Sequence, residues 1–324
     1  MIDNIKFVPY KALTRNKGII PIEDVSIGDT LIEYGTNAPL KIIDIEVVQS
    51  TRPYIVKFND DRELILQETD FTFKLLNNKM SLYRKQLSPR LYSNVIQFSS
   101  KLRKPVSPDP YIAGAGLFAN KDMDIFGIPV NKYTYNNQFK WTYNATYDRY
   151  VKDHLIVFED TDTSSLVTWD KMFPYGTNLN QYKYGRVLDR MRFVRGAFDV
   201  GYDPVFSTST IAITHKDKAT IELLQWILWS LGVTSKIITK PYSDGDIFIL
   251  SLIGEFSAYP GFFYNVEEIE RVGAKVPHDS FLLDIDYIEP YQNPNMLQPP
   301  FHYIFHTEKE HASYLTPNFL YMIS

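Results

Sequence analysis

Two segments about 80 residues apart, an order of spacing that a βαββα-sized unit would set, read as the same helix written twice. The first is Tyr111-Ile112-Ala113-Gly114-Ala115-Gly116-Leu117-Phe118-Ala119-Asn120, and the second is Phe193-Val194-Arg195-Gly196-Ala197-Phe198-Asp199-Val200-Gly201-Tyr202. Small residues stand at matching places in both, Gly114 with Ala115 and Gly196 with Ala197. Helices crossing at such residues approach until their backbones meet. The chain therefore carries an internal repeat.

The residues around the second copy define the unit. Thr208 to Thr214 alternates as a strand, and Lys216 to Gly232 is an amphipathic helix with apolar positions Ile221, Leu223, Leu224, Ile227, Leu228 and Leu231, stopped by Gly232. Lys236 to Thr239 and Ile247 to Leu252 are strands joined by the turn Ser243-Asp244-Gly245-Asp246. The order is therefore helix, strand, helix, strand, strand. Around the first copy, Tyr133 to Tyr147 forms a strand pair with a polar face, and Leu155 to Phe158 is a short apolar strand. Tyr133, Tyr135, Tyr143 and Tyr147 suit either protein contacts or ordinary sheet positions with wet hydroxyls.

Both ends of the chain alternate as β-structure. Thr30 to Tyr34, Leu40 to Val48, Tyr54 to Phe58, Glu63 to Leu66 and Phe71 to Leu75 are short strands bounded by Gly, Asn, Asp or Pro, with a turn at Asn59-Asp60-Asp61-Arg62. Phe281 to Ile288 and Phe301 to His306 alternate in the same way near the other end.

The repeated segments resemble the LAGLIDADG helix of homing endonucleases, in which an acid at each helix end holds the catalytic divalent cation. On that resemblance the acids fall on Ala119 and Gly201. Neither residue offers the hard oxygen ligand that magnesium needs, so the resemblance implies vestigial acid positions. Gly114, Gly116, Gly196 and Ala197 are the helix-packing residues it implies, and Asp122, Asp199 and Asp203 are the carboxylates that would serve if cleavage persisted.

A second resemblance involves the flanks. Ile22-Glu23-Asp24-Val25-Ser26-Ile27-Gly28-Asp29 resembles the first conserved block of the Hint fold of inteins and hedgehog proteins, and His311 to Leu320 resembles the final intein hairpin. On this resemblance Phe7 lies where the splicing nucleophile belongs, Glu68 and Phe71 stand for the Thr-x-x-His pair, and Ser324 replaces the cyclising Asn. The implied fold is α+β: a split all-β Hint-like domain (1–95 and 276–324) with an inserted LAGLIDADG-like α/β domain (96–275, repeats about 105–180 and 181–275).

Composition bounds the chemistry. With 34 Lys+Arg against 38 Asp+Glu and a formal charge of -4, the chain lacks the cation excess usual for gripping a duplex. Arg84, Lys85, Arg90, Lys101, Arg103 and Lys104 form either a local basic stripe or a solvated linker. The absence of cysteine excludes disulfides and zinc–thiolate sites. His302 and His306 alternate on a strand, about 13 Å apart by the rise per residue, too far to share a metal. Trp226 and Trp229 are read first as core residues, with a binding face as the alternative. No apolar run reaches membrane-spanning length and no signal peptide is evident, so a soluble protein not exported by the general secretory route is expected.

The expected function is a catalytically inactive pseudo-intein reused as a structural or protein-binding component. The composition resembles that of AT-rich phage proteins, which suggests a virion part (tail, baseplate or neck) with phage structural proteins as partners, in the virion or host cytoplasm. No cofactor is expected. The alternatives are an intein-derived free-standing homing endonuclease, which would need Mg2+, and a non-cleaving DNA-binding regulator.

Overall fold

A computed structural model describes residues 11–33, 36–49, 53–58, 60–67, 72–76, 79–83, 89–91, 98, 109–118, 127–129, 155–157, 179–201, 212–252, 285–290, 301–309, 312, 314–317 and 320–322. Contacts divide the chain into two compact units. One comprises Met1–Leu102, Trp229–Val233 and His278–Ser324; the other comprises Arg103–Leu228 and Thr234–Pro277. The architecture is mixed sheet and helix, as the expected α+β class requires.

The strands in chain order are β1 (Lys11–Thr14), β2 (Gly18–Pro21), β3 (Thr30–Ile32), β4 (Pro39–Gln49), β5 (Pro53–Phe58), β6 (Glu63–Gln67), β7 (Thr72–Leu76), β8 (Lys79–Tyr83) and β9 (Pro89–Leu91) in the first unit. Then come β10 (Gly127–Pro129), β11 (Leu155–Val157), β12 (Ala212–His215), β13 (Ser235–Tyr242) and β14 (Gly245–Leu252) in the second. The first unit resumes with β15 (Ile285–Pro290), β16 (Phe301–Thr307) and β17 (Leu320–Met322).

Strands from opposite ends of the chain pair throughout the first unit. Its sheets run β16-β4-β3 and β15-β5-β6, and β17 pairs with β9. All these pairings are antiparallel: Phe301 lies opposite Gln49, Glu289 opposite Ile55, and Leu320 opposite Leu91. Glu33 bridges Tyr314, and the Leu315 amide donates to the Ile32 carbonyl at 3.1 Å. In its described residues, the carboxy-terminal stretch thus meets Ile32, Glu33 and β9. The alternating apolar residues converge on one core that includes Ala12, Ile22, Leu31, Ile42, Phe58 and Phe305.

Among the described residues of this unit, charge is buried at two places. Asp29 accepts hydrogen bonds from Lys17 Nζ (2.7 Å), Asn16 Nδ2 (3.0 Å) and the Ser26 amide (2.9 Å). Burial pushes its carboxyl up, but these donors outweigh burial and hold it below its ordinary range. In the β5–β6 turn, Asp60 and Arg62 are both buried and lie 2.8 Å apart. Burial raises the Asp60 carboxyl and lowers the Arg62 guanidinium to about 10, each partly countered by the other's charge. Sequence had read these residues simply as a turn.

The second unit carries helices Pro110–Gly116 and Val187–Gly201, most of helix Lys218–Ser230, and the sheet β12-β14-β13. From Val187 the order is helix, strand, helix, strand, strand. Gly232 adopts φ +79°, a left-handed stop after the helix. The β13–β14 hairpin turns through Ser243 and Asp244 alone, with Tyr242 opposite Gly245. Helix Val187–Gly201 begins six residues before Phe193, the start of the second copy in sequence. Trp226 and Trp229 are buried. Trp226 packs under Lys183, whose Nζ lies 4.4 Å from the ring centroid, and meets the edge of Tyr184.

Candidate site at the paired helices

Helix Pro110–Gly116 starts where the sequence supplies both a cap and a fixed φ. Asp109 accepts the Tyr111 amide at 2.9 Å, and Pro110 fills the first helical position. Asp109 also faces Arg192 of the partner helix at 3.4 Å, across the N-terminal end of the pair. Beside this, Tyr182 stacks on Phe193 with centroids 4.6 Å apart. Burial raises the Tyr182 phenol far above its ordinary range. Burial also lowers the Arg190 guanidinium to about 9, with Asp189 opposing, while its Nε donates to the Gly185 carbonyl at 3.2 Å.

The two helices touch at their backbones. A methyl on Gly114 would lie 2.8 Å from the carbonyl carbon of Phe193 and 3.0 Å from the amide nitrogen of Ala197, and closer still to the Phe193 oxygen. A methyl on Gly196 would lie 2.8 Å from the Ala115 nitrogen and 2.9 Å from the Tyr111 carbonyl carbon, again closer to the oxygen. The contact is reciprocal: each glycine faces the residue of the other helix three positions before that helix's own glycine. Gly116 and Ala197 are buried in the same pair.

At the far end of the pair, Gly201 faces the ring of Phe118. A methyl on Gly201 would lie 2.7, 2.8 and 2.9 Å from Cδ1, Cγ and Cε1 of that ring. The ring in turn meets His215 edge-on, at 5.4 Å and 79°. His215 is fixed because its Nδ1 accepts the Asp217 amide at 2.9 Å. Asp217 caps helix Lys218–Ser230 through the Thr220 hydroxyl and the amides of Ala219 and Thr220. The Thr220 hydroxyl, chief among these donors, holds the Asp217 carboxyl below its ordinary range.

Of the residues singled out by sequence, Gly114, Gly116, Gly196, Ala197 and Gly201 are thus brought into one helix pair. Asp199 lies on helix Val187–Gly201, with its side chain outside the described atoms. Ala119, Asp122, Asp203, Phe7, Glu68, Phe71 and Ser324 lie outside the described residues, as do Tyr133, Tyr135, Tyr143 and Tyr147. His302 and His306 lie on the single strand β16, and His306 Nε2 is 3.7 Å from Glu46. Among the described residues no three His, Asp or Glu side chains cluster to hold a metal, and no helix is long and apolar enough to cross a membrane.

Phe118 is the residue that sequence reasoning missed. Its signal was available by comparing the copies, since a large side chain beside the helix end in one copy matches a missing side chain in the other. One face of the sheet was also not anticipated. By register, Thr214, Lys236, Ile238, Lys240, Tyr242, Ile249 and Ser251 share a face that carries two lysines and no carboxylate.

No family model matches the chain, and no curated protein matches it. Solved structures similar to it include the homing endonuclease I-DmoI. One, in complex with DNA and manganese, is 11% identical and covers 52% of this chain and 97% of that one, at a TM-score of 0.29. Another, of mesophilic variants of I-DmoI, is 12% identical and covers 48% of this chain and 92% of that one, also at 0.29. Similarity at this level assigns neither a family nor an activity.

Proposed function

We propose that this protein is a non-cleaving descendant of an intein-borne LAGLIDADG endonuclease, retained as a structural or protein-binding component. A phage particle is the proposed setting, with phage structural proteins as partners. The observation that carries the loss of cleavage is Gly201 against the Phe118 ring. Where the motif calls for a carboxylate there is no side chain, and its space is filled by hydrocarbon. An aromatic ring offers a divalent cation no oxygen ligand, and metal-assisted cleavage of a phosphodiester depends on such ligands. The insertion reading draws support from the pairing of β4, β5 and β9 with β16, β15 and β17. Such a split β-unit fits a Hint-like frame, whose splicing positions are occupied by Phe7, Glu68, Phe71 and Ser324. On this reading neither Mg2+ nor any other cofactor is required.

The setting is tested by centrifuging a phage lysate that contains the protein through a density gradient and probing the particle band. Co-sedimentation at a fixed number of copies per particle is expected. A protein found entirely at the top of the gradient would remove the virion assignment.

A second reading, a non-cleaving DNA binder, is favoured by the acid-free face with Lys236 and Lys240. Under it, DNA affinity falls steeply with salt, and replacing both lysines lowers the slope by about two counterions. The overall charge of -4 weighs against it.

A further inference from the structure

We propose that Phe118 is a hydrophobic plug, made by moving side-chain volume from one helix end to the other. It deepens the non-cleaving reading of the same site. The name LAGLIDADG itself sets the sizes: its seventh letter is alanine and its eighth is aspartate. Phe118 stands at the seventh letter of the first copy, and Gly201 at the eighth letter of the second. One position has therefore grown from a methyl to a ring while the other has shrunk from a carboxylate to hydrogen.

The two changes fit each other in space. The ring lies so close to Gly201 that even a methyl would meet Cγ at 2.8 Å, and Cγ moves away only if the whole side chain changes its χ1 rotamer. The ring also meets His215, and His215 is held by the amide that opens helix Lys218–Ser230. Phe118 thus ties the end of the helix pair to strand β12. That tie is apolar, where a cation between two carboxylates would have been ionic. An acid can return to position 201 only if the ring leaves first.

The test is a double-mutant cycle on the full chain, using Gly201→Asp, Phe118→Ala and both together, read by thermal melting and by amide hydrogen exchange. Gly201→Asp alone is expected to lower Tm by about 4 °C or more, from an overpacking cost spread over a domain of this size. On the Phe118→Ala background the same substitution should cost less than half as much. Phe118→Ala should also speed exchange at 197–201 and 212–217. If Phe118→Ala does not fold, Phe118→Leu serves as the background, with Gly201→Ala as the probe. Equal losses on both backgrounds, or a Gly201→Asp protein that melts like the parent, overturn the plug. Cleavage of DNA by the parent protein would instead defeat the non-cleaving reading and leave this coupling intact, so the two failures are distinguishable.

Discussion

Gly114→Ala puts the helix crossing to a test in which the sign of the effect discriminates. In an ordinary helix, glycine to alanine stabilises by about 1 kcal/mol. Here the new methyl would stand 2.8 and 3.0 Å from backbone atoms of the other helix, against the roughly 3.5–4.0 Å at which carbon contacts are favourable. Backbone cannot rotate away as a side chain can, and the Phe193 oxygen is closer still, so the helices must part by about 1 Å or more. A gap of that size forfeits about half of each contact's well of about 0.1–0.2 kcal/mol. Taking about 40 atom pairs across the seam, comparable to a buried leucine, the loss is about 2–4 kcal/mol. Subtracting the helix-propensity gain leaves a net loss on the order of 1–3 kcal/mol, in line with overpacked cores generally. A middle value of about 2 kcal/mol lowers Tm by roughly 4–8 °C in a domain of this size. Gly196→Ala should behave alike, and the double variant should lose less than the sum, because helices already parted admit the second methyl. Melting followed by circular dichroism decides it. A Tm that rises, or strictly additive losses, would refute a backbone contact at these glycines.

Other parts of the account are open to similar checks. Asp60→Ala or Arg62→Ala strands a buried charge and should cost about 3–5 kcal/mol in urea unfolding, whereas Asp60→Asn combined with Arg62→Met should cost less than either; a larger loss in the combined variant would contradict this. Because the folded Asp29 carboxyl is held below its ordinary value, its contribution is present above about pH 4 and is lost as pH falls through the lowered value. The Tm gap between parent and Asp29→Asn should therefore close on acidification, and a gap that widens below about pH 4 would show the opposite sign. On the proposed reading, a fusion with foreign sequences at both ends should stay one polypeptide, since Phe7 stands where that reading puts the nucleophile and offers none; ligated flanks on a gel would show that splicing persists.

The helix pair was legible because close packing leaves a local mark: Gly114 and Gly196 recur with alanine beside each, and few other constraints produce that pattern in two helices. The strands were legible through alternation, which is why β4 and β5 fall within a residue of their expected ends. Pairing between chain ends was not legible in that way. Nothing in the sequence of β4 names β16 as its neighbour, since backbone hydrogen bonds carry no side-chain code, and only the likeness to a split domain suggested it. The burial of Asp60 and Arg62 was hidden for a related reason. Charged residues in a turn look solvated until a core closes over them. Phe118 escaped because each copy was compared with the motif for its chemistry, whereas its significance lies in how one copy's size complements the other's gap.

The measurement that bears most directly on the proposed loss of catalysis is a search for protein-dependent breaks in a randomised duplex library, incubated with Mg2+ or Mn2+ and read by sequencing the new ends. With glycine at position 201 and the Phe118 ring in place of a ligand, the ends should match those of a protein-free control. Reproducible double-strand breaks at one sequence, abolished by changing Asp122, Asp199 or Asp203 to Ala, would show that displaced carboxylates still hold the metal and that the protein is a nuclease.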